Sequence, residues 1–437
     1  MPENTIDFEI EGGHKLRGEI TTNASKNGAV ALIAAALINK SPTTLHGIPK
    51  IEEVDRLIEV LKSIGINIKW LDKDTLKITP PKNFKINKIH KETATRIRVS
   101  LYLIGALGKN IKTFKLPHSG GCKMGTRTIS AHRYAFENLG LKIKTTETEY
   151  VISHKKLHAS DITLYEASDG AAINTLLLAS QIPNKTIIRF APPNYQVQEV
   201  CFFLEKLGVK INGIGTTTLE VEGLSEINES IEYWNSEDPI ESMLFISAAI
   251  TTNSKLKIKR SPIDFLRLEL LKLEKMGLKY KLSNEYLSLN NRTKLVDLEI
   301  LPSKLKAPSD KIHALPYPGI NTDNLPFFVP IATQTKGITL IHDWMWENRA
   351  IYFTELNKLG ANVNLADPHR VYIEGPTELK GAEILCPPAL RPAAIILVSM
   401  LAARGRSLLK NVYSISRGYE NIAERLNSIG AKIKVLK

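Results

Sequence analysis

Residues 423–435, Ala-Glu-Arg-Leu-Asn-Ser-Ile-Gly-Ala-Lys-Ile-Lys-Val, contain the pattern that decides the fold of this chain. An amphipathic segment comes first, Gly430 follows it, and apolar residues then alternate with lysines. This order is typical of a helix that ends at a glycine and continues into a half-buried strand. The glycines of successive copies lie roughly 70 to 80 residues apart, which indicates a compact unit of helices and strands. The six copies are Ile64-Gly65, Leu139-Gly140, Leu207-Gly208, Met276-Gly277, Leu359-Gly360 and Ile429-Gly430.

Each unit also contains a second segment that is apolar on nearly all sides, which predicts a buried helix. We expect three units to form each of two domains, with the helices inside and the sheets outside. The fold class is therefore α/β, built from α+β repeats as a two-domain inside-out α/β barrel. The six buried segments are 29–38, 99–107, 171–179, 240–250, 325–332 and 392–402.

The domain boundary is predicted between the third and fourth units, near residues 229–237. One domain then comprises residues 24–235, and the other comprises residues 1–23 plus 236–437. The chain ends on a strand without a partner, so we expect the strand at 7–10 to pair with the last unit.

Polar or charged residues stand at the starts of the six buried segments. Serine, aspartate and asparagine there are ordinary helix caps, but Lys26, Arg98 and Arg391 are not, because a helix N-terminus disfavours cations. Pro392 is predicted at a first helical position, which supports the placement of Arg391. Cations at helix N-termini suggest that an anion binds among them. The full set is Lys26 with Asn27, Arg98, Ser168 with Asp169, Asp238, Asp323 and Arg391.

The composition is that of an ordinary globular protein, with 43% hydrophobic and 24% charged residues in 437. The apolar runs are too short to cross a bilayer, and we expect a cytoplasmic protein with no membrane partner. The net charge of +13 admits nucleic acid, an anionic membrane or a small anionic substrate. Lysines are spread singly and aromatic residues are only 7%, so nucleic acid is not the expected partner. The three cysteines indicate neither a disulfide framework nor a zinc site.

The stretch from Pro117 to Arg127 places Cys122 among three glycines, with Lys123 and Arg127 close by. Glycines permit close approach to a ligand, and nearby cations favour a thiolate. The loop therefore makes Cys122 a candidate for chemistry. A lone cysteine is equally compatible with a small buried hydrophobe.

Six short motifs, in order along the whole chain, resemble the enolpyruvyltransferase family. They are Ser25-Lys26-Asn27, Gly120-Gly121-Cys122-Lys123-Met124-Gly125-Thr126-Arg127, Thr322-Asp323, Glu347-Asn348-Arg349, Leu390-Arg391 and Ser416-Arg417-Gly418-Tyr419-Glu420. The resemblance implies two domains that close over phosphoenolpyruvate and an acceptor, with no metal or organic cofactor. It implies transfer of the enolpyruvyl group to the 3-hydroxyl of UDP-N-acetylglucosamine, with release of phosphate, as the first committed step of peptidoglycan precursor synthesis.

The resemblance also assigns roles to residues. Cys122 is implied as the general acid at C3 of phosphoenolpyruvate and as the target of fosfomycin, Asp323 as the base for the acceptor hydroxyl, and Lys26 and Arg417 as further catalytic residues. The residues implied for phosphoenolpyruvate binding are Lys26, Asn27, Arg127, Arg349, Arg391 and Arg417. Those implied for acceptor binding are Asn27, Arg98, Arg127, Thr128, Ser130, His132, Ser168, Asp169, Gly170, Asp323 and Met345.

The chain departs from the family pattern mainly on the acceptor side. Ser130 stands where an aspartate is usual, and Glu166 stands where a lysine commonly approaches the diphosphate. Ala389 and Ser416 replace aspartates, and Glu52 with Glu53 replaces a Lys-Asp pair. We expect a nearby glutamate, such as Glu52 or Glu166, to balance the arginines.

Three functions remain open from the sequence. The first is the UDP-N-acetylglucosamine reaction, and the second is enolpyruvyl transfer to another nucleotide or sugar acceptor such as UMP. The third is a non-catalytic nucleic-acid-binding relative. The oligomeric state stays undetermined.

Overall fold

The computed structural model describes residues 6–120 and 128–436. Its strands are β1 (Asp7–Gly12), β2 (Glu19–Thr21), β3 (Thr43–His46), β4 (Asn67–Trp70), β5 (Leu76–Thr79), β6 (Thr113–Pro117), β7 (Leu141–Thr145), β8 (Glu149–His154), β9 (Asp161–Thr163), β10 (Asn184–Arg189), β11 (Lys210–Asn212), β12 (Thr218–Gly223), β13 (Ile231–Trp234), β14 (Leu256–Pro262), β15 (Lys279–Leu287), β16 (Lys294–Leu301), β17 (Ile312–His313), β18 (Gly337–His342), β19 (Asn362–Asp367), β20 (Arg370–Gly375), β21 (Glu383–Leu385), β22 (Gly405–Lys410) and β23 (Ile433–Leu436).

The α-helices are α1 (Lys26–Ala35), α2 (Glu52–Ser63), α3 (Lys91–Arg96), α4 (Tyr102–Leu107), α5 (Ser130–Asn138), α6 (Asp169–Ala179), α7 (Tyr195–Lys206), α8 (Pro239–Thr251), α9 (Arg267–Lys275), α10 (Phe328–Thr333), α11 (Leu390–Ala402), α12 (Tyr413–Ser416) and α13 (Ile422–Ser428). Short 3-10 helices cover Ala36–Ile38, Ile86–Lys88, Arg98–Leu101, Ile263–Phe265, Leu325–Phe327 and Ala350–Leu359. In the described ranges, no helix is both long and apolar enough to span a membrane.

The strands form six separate sheets, one for each predicted unit. In the described part of the chain, five sheets have four strands and the β6-β8-β7 sheet has three. A typical unit is the third one, where β9 pairs parallel to β10, and β12 pairs antiparallel to both β10 and β11. The buried helix α6 connects β9 to β10, and the amphipathic helix α7 connects β10 to β11. The predicted buried helix, and the amphipathic helix that leads into a strand, are confirmed, and the structure adds a strand between the two helices.

The six glycines of the repeat all have a left-handed backbone. Their φ angles are 96° at Gly65, 86° at Gly140, 90° at Gly208, 107° at Gly277, 84° at Gly360 and 98° at Gly430. An L-residue with a side chain rarely adopts such angles, so glycine is the residue that lets each amphipathic helix turn into its strand.

The N-terminal strand completes the sheet of the last unit, as predicted. β1 lies antiparallel between β22 and β23, with Phe8 opposite both Leu409 and Val435. The chain thereby joins its two ends within one sheet.

The described residues form two hydrophobic cores, one for each half of the chain. The first contains buried residues between Ala29 and Tyr233, and the second contains Phe8 to Ile20 and Ile240 to Ile433 together with Tyr195 from α7. The helices α1 and α6 are buried in the first core, and α8 and α11 in the second, with every residue of α8 buried. The precise ends of the two domains stay a prediction.

The chain passes twice between the halves, through two segments that run side by side. Ala24 bridges Glu237 in antiparallel fashion, and Ser25 N donates to Ser236 O at 2.7 Å. Asp238 N donates to Asn23 O at 2.8 Å. These two hydrogen-bonded segments join the two halves covalently.

A buried carboxylate lies against this crossing. Glu199 on α7 is only 4% exposed, and it accepts hydrogen bonds from Ser236 N at 3.2 Å and from Asn290 Nδ2 at 3.2 and 3.3 Å. Asn290 belongs to the turn between β15 and β16, in the other half of the molecule. Burial raises the pKa of Glu199 to about 7.

Glu199→Gln is expected to remove a pH-dependent loss of stability. The unfolded carboxyl ionises near pH 4.3 and the folded one near 7, so the wild-type free energy of unfolding falls as pH rises through that window. The free energy of unfolding of Glu199→Gln, minus that of wild type, should rise by about 3 kcal/mol between pH 4.5 and pH 8. Urea denaturation measures it, with exposed Glu222→Gln as the control. A constant difference across this range would contradict the role of Glu199.

Candidate active site

Several buried helices begin close to one another, and residues at or just before their first turns form what we call the helix junction: Lys26, Asp169, Asp238, Asp323 and Arg391. Ser25 caps α1 through its Oγ, which accepts from Gly28 N at 3.0 Å, so Lys26 opens the helix. Asp238 caps α8, accepts from Ile240 N at 2.8 Å, and also accepts from Lys26 N at 3.4 Å.

Lys26 already has a carboxylate partner. Its Nζ donates to Glu53 Oε2 at 2.7 Å, and each side chain is 12% exposed. Burial would raise the pKa of Glu53, but the charge and hydrogen bond of Lys26, with the charges of Arg417 and Arg391, lower it. The carboxylate that balances Lys26 is therefore Glu53, and the expectation that Glu52 or Glu166 balances the arginines stays a prediction.

Glu52 and Glu166 lie elsewhere. Glu52 Oε1 accepts from Arg56 Nε at 2.6 Å and from the Tyr413 hydroxyl at 2.7 Å, which ties α2 to α12 in the other half. Glu166 is exposed before α6, and its carbonyl accepts from Ser168 N at 2.8 Å. Arg391 of the helix junction pairs with Asp323.

Asp323 and Arg391 form the central ion pair of the junction. Arg391 Nη2 donates to Asp323 Oδ2 at 2.9 Å, and its Nη1 donates to the Tyr419 hydroxyl at 2.6 Å. Burial alone would raise the pKa of Asp323, but the charge and hydrogen bond of Arg391, followed by the charges of Arg349 and Lys26, lower it to about 2. Asp323 is thus ionised at neutral pH.

Helix α11 begins two residues earlier than predicted. It runs from Leu390, with Ala389 at the cap position, so Arg391 is its second residue and Pro392 its third. The side chain of Ala389 makes no capping hydrogen bond to α11. In the first turn of this helix, the side chain of Arg391 donates to Asp323.

Arg349 lies behind Asp323 and is fully buried. Its Nε and Nη2 donate to the two carboxylate oxygens of Asp343 at 2.5 and 2.8 Å, and Nη2 also donates to Thr322 O at 2.7 Å. Both charged side chains of this pair are 0% exposed. The remaining Nη1 lies 4.0 Å from Asp323 Oδ1 and makes no hydrogen bond to any described residue. The Nη1 atom of Arg349 is therefore the part of this side chain that faces the helix junction.

The acceptor-side residues Asn27 and Asp169 belong to a polar network on the first half. Asn27 Nδ2 donates to the Tyr195 hydroxyl at 2.9 Å. Asp169 Oδ2 accepts from Asn194 Nδ2 at 2.8 Å and from Gln196 Nε2 at 2.7 Å. Burial raises the pKa of Asp169 to about 6 against these two hydrogen bonds, and the negative charge of Asp323 adds to the rise.

His132 and Gly170 are neighbours beneath the start of α6. A Cβ on Gly170 would lie 3.5 Å from His132 Cε1, and Asn174 Nδ2 lies 3.1 Å from His132 Nδ1. His132 is only 6% exposed. Ser168 caps α6, accepting from Ala171 N at 3.4 Å.

The other predicted acceptor residues lie at the edge of this region. Arg98 Nη2 donates to Thr128 O at 2.9 Å, and Ser130 begins α5. Met345 is partly buried against the core of the second half.

Cys122 and Arg127 lie outside the described residues. The two described cysteines are buried, and burial raises the pKa of Cys386 to about 12 and that of Cys201 further. Both are therefore held as thiols, which leaves Cys122 as the candidate nucleophile or acid among the three cysteines. Arg417 follows α12, and its charge acts on Glu53.

A family model described as EPSP synthase (3-phosphoshikimate 1-carboxyvinyltransferase) matches residues 10–426. The chain belongs to this family. The resemblance to enolpyruvyltransferases is thereby confirmed, and with it the two-domain fold class of this EPSP synthase family member.

Relatives of this family member are similar over their full length. A UDP-N-acetylglucosamine 1-carboxyvinyltransferase from Treponema denticola is 34% identical over 98% of this chain and 99% of its own. One from Bradyrhizobium diazoefficiens is 34% identical over 98% of each chain.

Solved structures show the same fold at lower identity. The enolpyruvyl transferase NikO from Streptomyces tendae has a TM-score of 0.84 and 22% identity, over 99% of both chains. EPSP synthase from Acinetobacter baumannii has a TM-score of 0.75 and 17% identity, over 99% of this chain and 100% of that chain.

Sequence reasoning assigned no role to four side chains that shape the site. Glu53 was noted only as a departure from the family pattern, and Tyr419 only as part of a motif. Tyr195 carries no local signal, because its partner Asn27 lies far away in the sequence. Asp343 lies six residues before its partner Arg349, but no motif singles it out.

Proposed function

We propose that this protein transfers the enolpyruvyl group of phosphoenolpyruvate to the 3-hydroxyl of UDP-N-acetylglucosamine and releases inorganic phosphate. The observation that carries the proposal is the helix junction. There, Asp323 is ionised, and its Oδ2 lies 2.9 Å from Nη2 of Arg391 in the first turn of α11. The full-length relatives named for this reaction support the acceptor. The cellular location that fits this reaction is the cytoplasm, because both substrates are charged and do not cross membranes.

Phosphoenolpyruvate carries a phosphate and a carboxylate, and the junction supplies cations for both. We assign Lys26, Arg127 and Arg417 to the phosphate, with Asn27 beside it, and Arg391 with Nη1 of Arg349 to the carboxylate. Guanidinium groups bind such oxyanions through paired N–H donors. Because Lys26 and Arg391 are already paired with Glu53 and Asp323, the substrate anion must share these cations with protein carboxylates.

The reaction is an addition to phosphoenolpyruvate followed by an elimination of phosphate. Cys122 gives a proton to C3 of phosphoenolpyruvate, which makes C2 electrophilic, and the acceptor oxygen bonds to C2 as its proton passes to Asp323. The resulting tetrahedral ketal then returns a proton from C3 to the Cys122 thiolate as the bond between C2 and the phosphate oxygen breaks, which restores the double bond, and the released phosphate takes the proton held by Asp323. The same role makes Cys122 the residue that fosfomycin would alkylate.

A second acceptor class is kept because the start of α6 is acidic. Glu166 is exposed there, and Asp169 has no cationic partner among the described residues. An acceptor with a different nucleotide or sugar, such as UMP, would place different chemical groups beside these two carboxylates.

Phosphate release distinguishes these possibilities. The protein is mixed with phosphoenolpyruvate and, in separate reactions, with UDP-N-acetylglucosamine, UMP or shikimate 3-phosphate. We expect stoichiometric phosphate with UDP-N-acetylglucosamine and none with phosphoenolpyruvate alone. Release with UMP only would move the proposal to the second acceptor class. No release with any acceptor, together with tight RNA binding, would indicate a binding protein instead.

A further inference from the structure

A buried carboxylate lies against residues 321–324, which we call the Asp323 segment. Glu269, on α9, is only 2% exposed, and its Oε1 accepts hydrogen bonds from Asn324 Nδ2 at 2.8 Å and from Asn321 N at 3.2 Å. These two donors lie on either side of Asp323 in the sequence, and Asn324 is fully buried. A single oxygen of Glu269 therefore binds both ends of the Asp323 segment.

Packing alone does not explain an ionisable side chain at position 269. Glu269 belongs to the buried face of α9, and the other members of this face are apolar at helical spacing: Leu266, Leu270 and Leu273. Glu269 forms no salt bridge within the described ranges. Burial raises the pKa of Glu269 although Asn324 and Asn321 donate to it, because a carboxylate without a cation is unfavourable in the interior. What this position gains over a leucine is its pair of hydrogen bonds to the Asp323 segment.

The Asp323 segment determines where the Asp323 carboxylate lies. Asp323 N donates to Asn321 Oδ1 at 2.9 Å, which closes a tight turn. Thr322 O accepts from Arg349 Nη2 at 2.7 Å. Arg349 thus binds the middle of the segment, and the carboxylate on α9 binds its two ends. A shift of either end changes the position of the Asp323 side chain, because that side chain projects from between them.

We infer that Glu269 is a positioning residue, which holds the Asp323 segment so that the Asp323 carboxylate meets the hydroxyl of the acceptor. The inference rests on the proposed function, in which Asp323 takes the proton of that hydroxyl. Glu269 acts here as a hydrogen-bond acceptor, and the role does not require its charge. An amide oxygen can accept the same two bonds, whereas a leucine side chain can accept neither.

Phosphate release by the full chain, with phosphoenolpyruvate and UDP-N-acetylglucosamine, tests the inference. Glu269→Leu is expected to lower kcat by about 10- to 100-fold, because a reacting group displaced by about 1 Å can lose as much as a hundredfold in rate. Glu269→Gln should stay within about threefold of wild type, since its amide oxygen can accept both bonds. Glu274→Leu is the matched control, because Glu274 is exposed on the same helix.

A double-substitution cycle separates positioning from a general loss of structure. If Glu269 acts through Asp323, Glu269→Leu should change the single-turnover rate of Asp323→Asn by less than about threefold. A purely structural role would lower the rate by the same factor in wild type and in Asp323→Asn, and that result would overturn the inference. A rate for Glu269→Gln as low as that of Glu269→Leu would overturn it as well.

A further variant keeps the test valid if Glu269→Leu folds poorly. Glu269→Leu combined with Asn324→Leu replaces both hydrogen-bonded side chains with apolar ones, a change that can be nearly neutral for stability. Its unfolding midpoint in urea should lie close to that of wild type, while its rate of phosphate release stays low. A folded double variant with the wild-type rate would contradict the role of Glu269. Wild-type protein that releases no phosphate with any acceptor would instead overturn the proposed function and, with it, the base that Glu269 positions.

Discussion

Asp323→Asn is expected to lower the rate of phosphate release by about 10²- to 10⁴-fold, the range usual for loss of a general base. The amide has nearly the same shape but cannot accept the proton of the acceptor hydroxyl. Single-turnover mixing with phosphoenolpyruvate and UDP-N-acetylglucosamine measures the step directly. Asp264→Asn is the control, because Asp264 is an exposed carboxylate of the same half, paired with Arg267 at 3.0 Å.

The low pKa of Asp323 adds a second expectation for the same step. Arg391 keeps this carboxylate ionised down to about pH 2, so a falling wild-type rate between pH 5 and 8 cannot come from protonation of Asp323. A base this weak accepts the proton only while the acceptor oxygen bonds to C2, so the two events should occur together. Asp323→Asn with a rate within threefold of wild type would contradict the assignment, and Asp169 would become the next candidate base.

The sequence predicted the repeated architecture well because the signals for it are local. A glycine with left-handed backbone follows each amphipathic helix, and that pattern is complete within about a dozen residues of Gly430 or any of its five equivalents. The pairing of β1 with the last sheet also followed from a strand count. Local periodicity was sufficient for both.

The site was predicted less completely because its side chains pair across long sequence separations. Lys26 meets Glu53 and Arg391 meets Asp323, and only geometry distinguishes Glu53 from its neighbour Glu52. The family motifs identified the cations, but not which carboxylates hold them. Either glutamate fits the sequence pattern of α2, so the ion-pair partner of Lys26 is decided by how the helices pack and not by the local sequence.

Arg349 shows a different limitation, because its motif suggested a substrate contact and its partner Asp343 lies only six residues away. The structure places most of its guanidinium against Asp343, at the end of β18, and leaves only Nη1 toward Asp323. Arg349 consequently contributes to the site chiefly through the position and charge that it gives to Asp323. The buried pair should therefore matter as much for folding as for catalysis.

Asp343→Ala is expected to lower the free energy of unfolding by about 3 to 5 kcal/mol, because it leaves the fully buried guanidinium of Arg349 without its carboxylate. Urea denaturation at pH 7.5 measures the change. Glu378→Ala is the matched control, since it breaks the exposed pair with Arg404 at 2.6 Å and should cost less than about 1 kcal/mol.

A double substitution separates the buried charge from simple loss of packing. Asp343→Leu with Arg349→Met removes both charges and keeps apolar volume, so it should destabilise the protein less than Asp343→Ala alone. If the double variant lost as much stability as the two single variants combined, the pair would not be coupled. The rate of phosphate release by a folded double variant should still fall, because Asp323 would lose the positive charge of Arg349, whose Nη1 lies 4.0 Å from Asp323 Oδ1. Of the two arginines, Arg391 would then remain as the partner of Asp323.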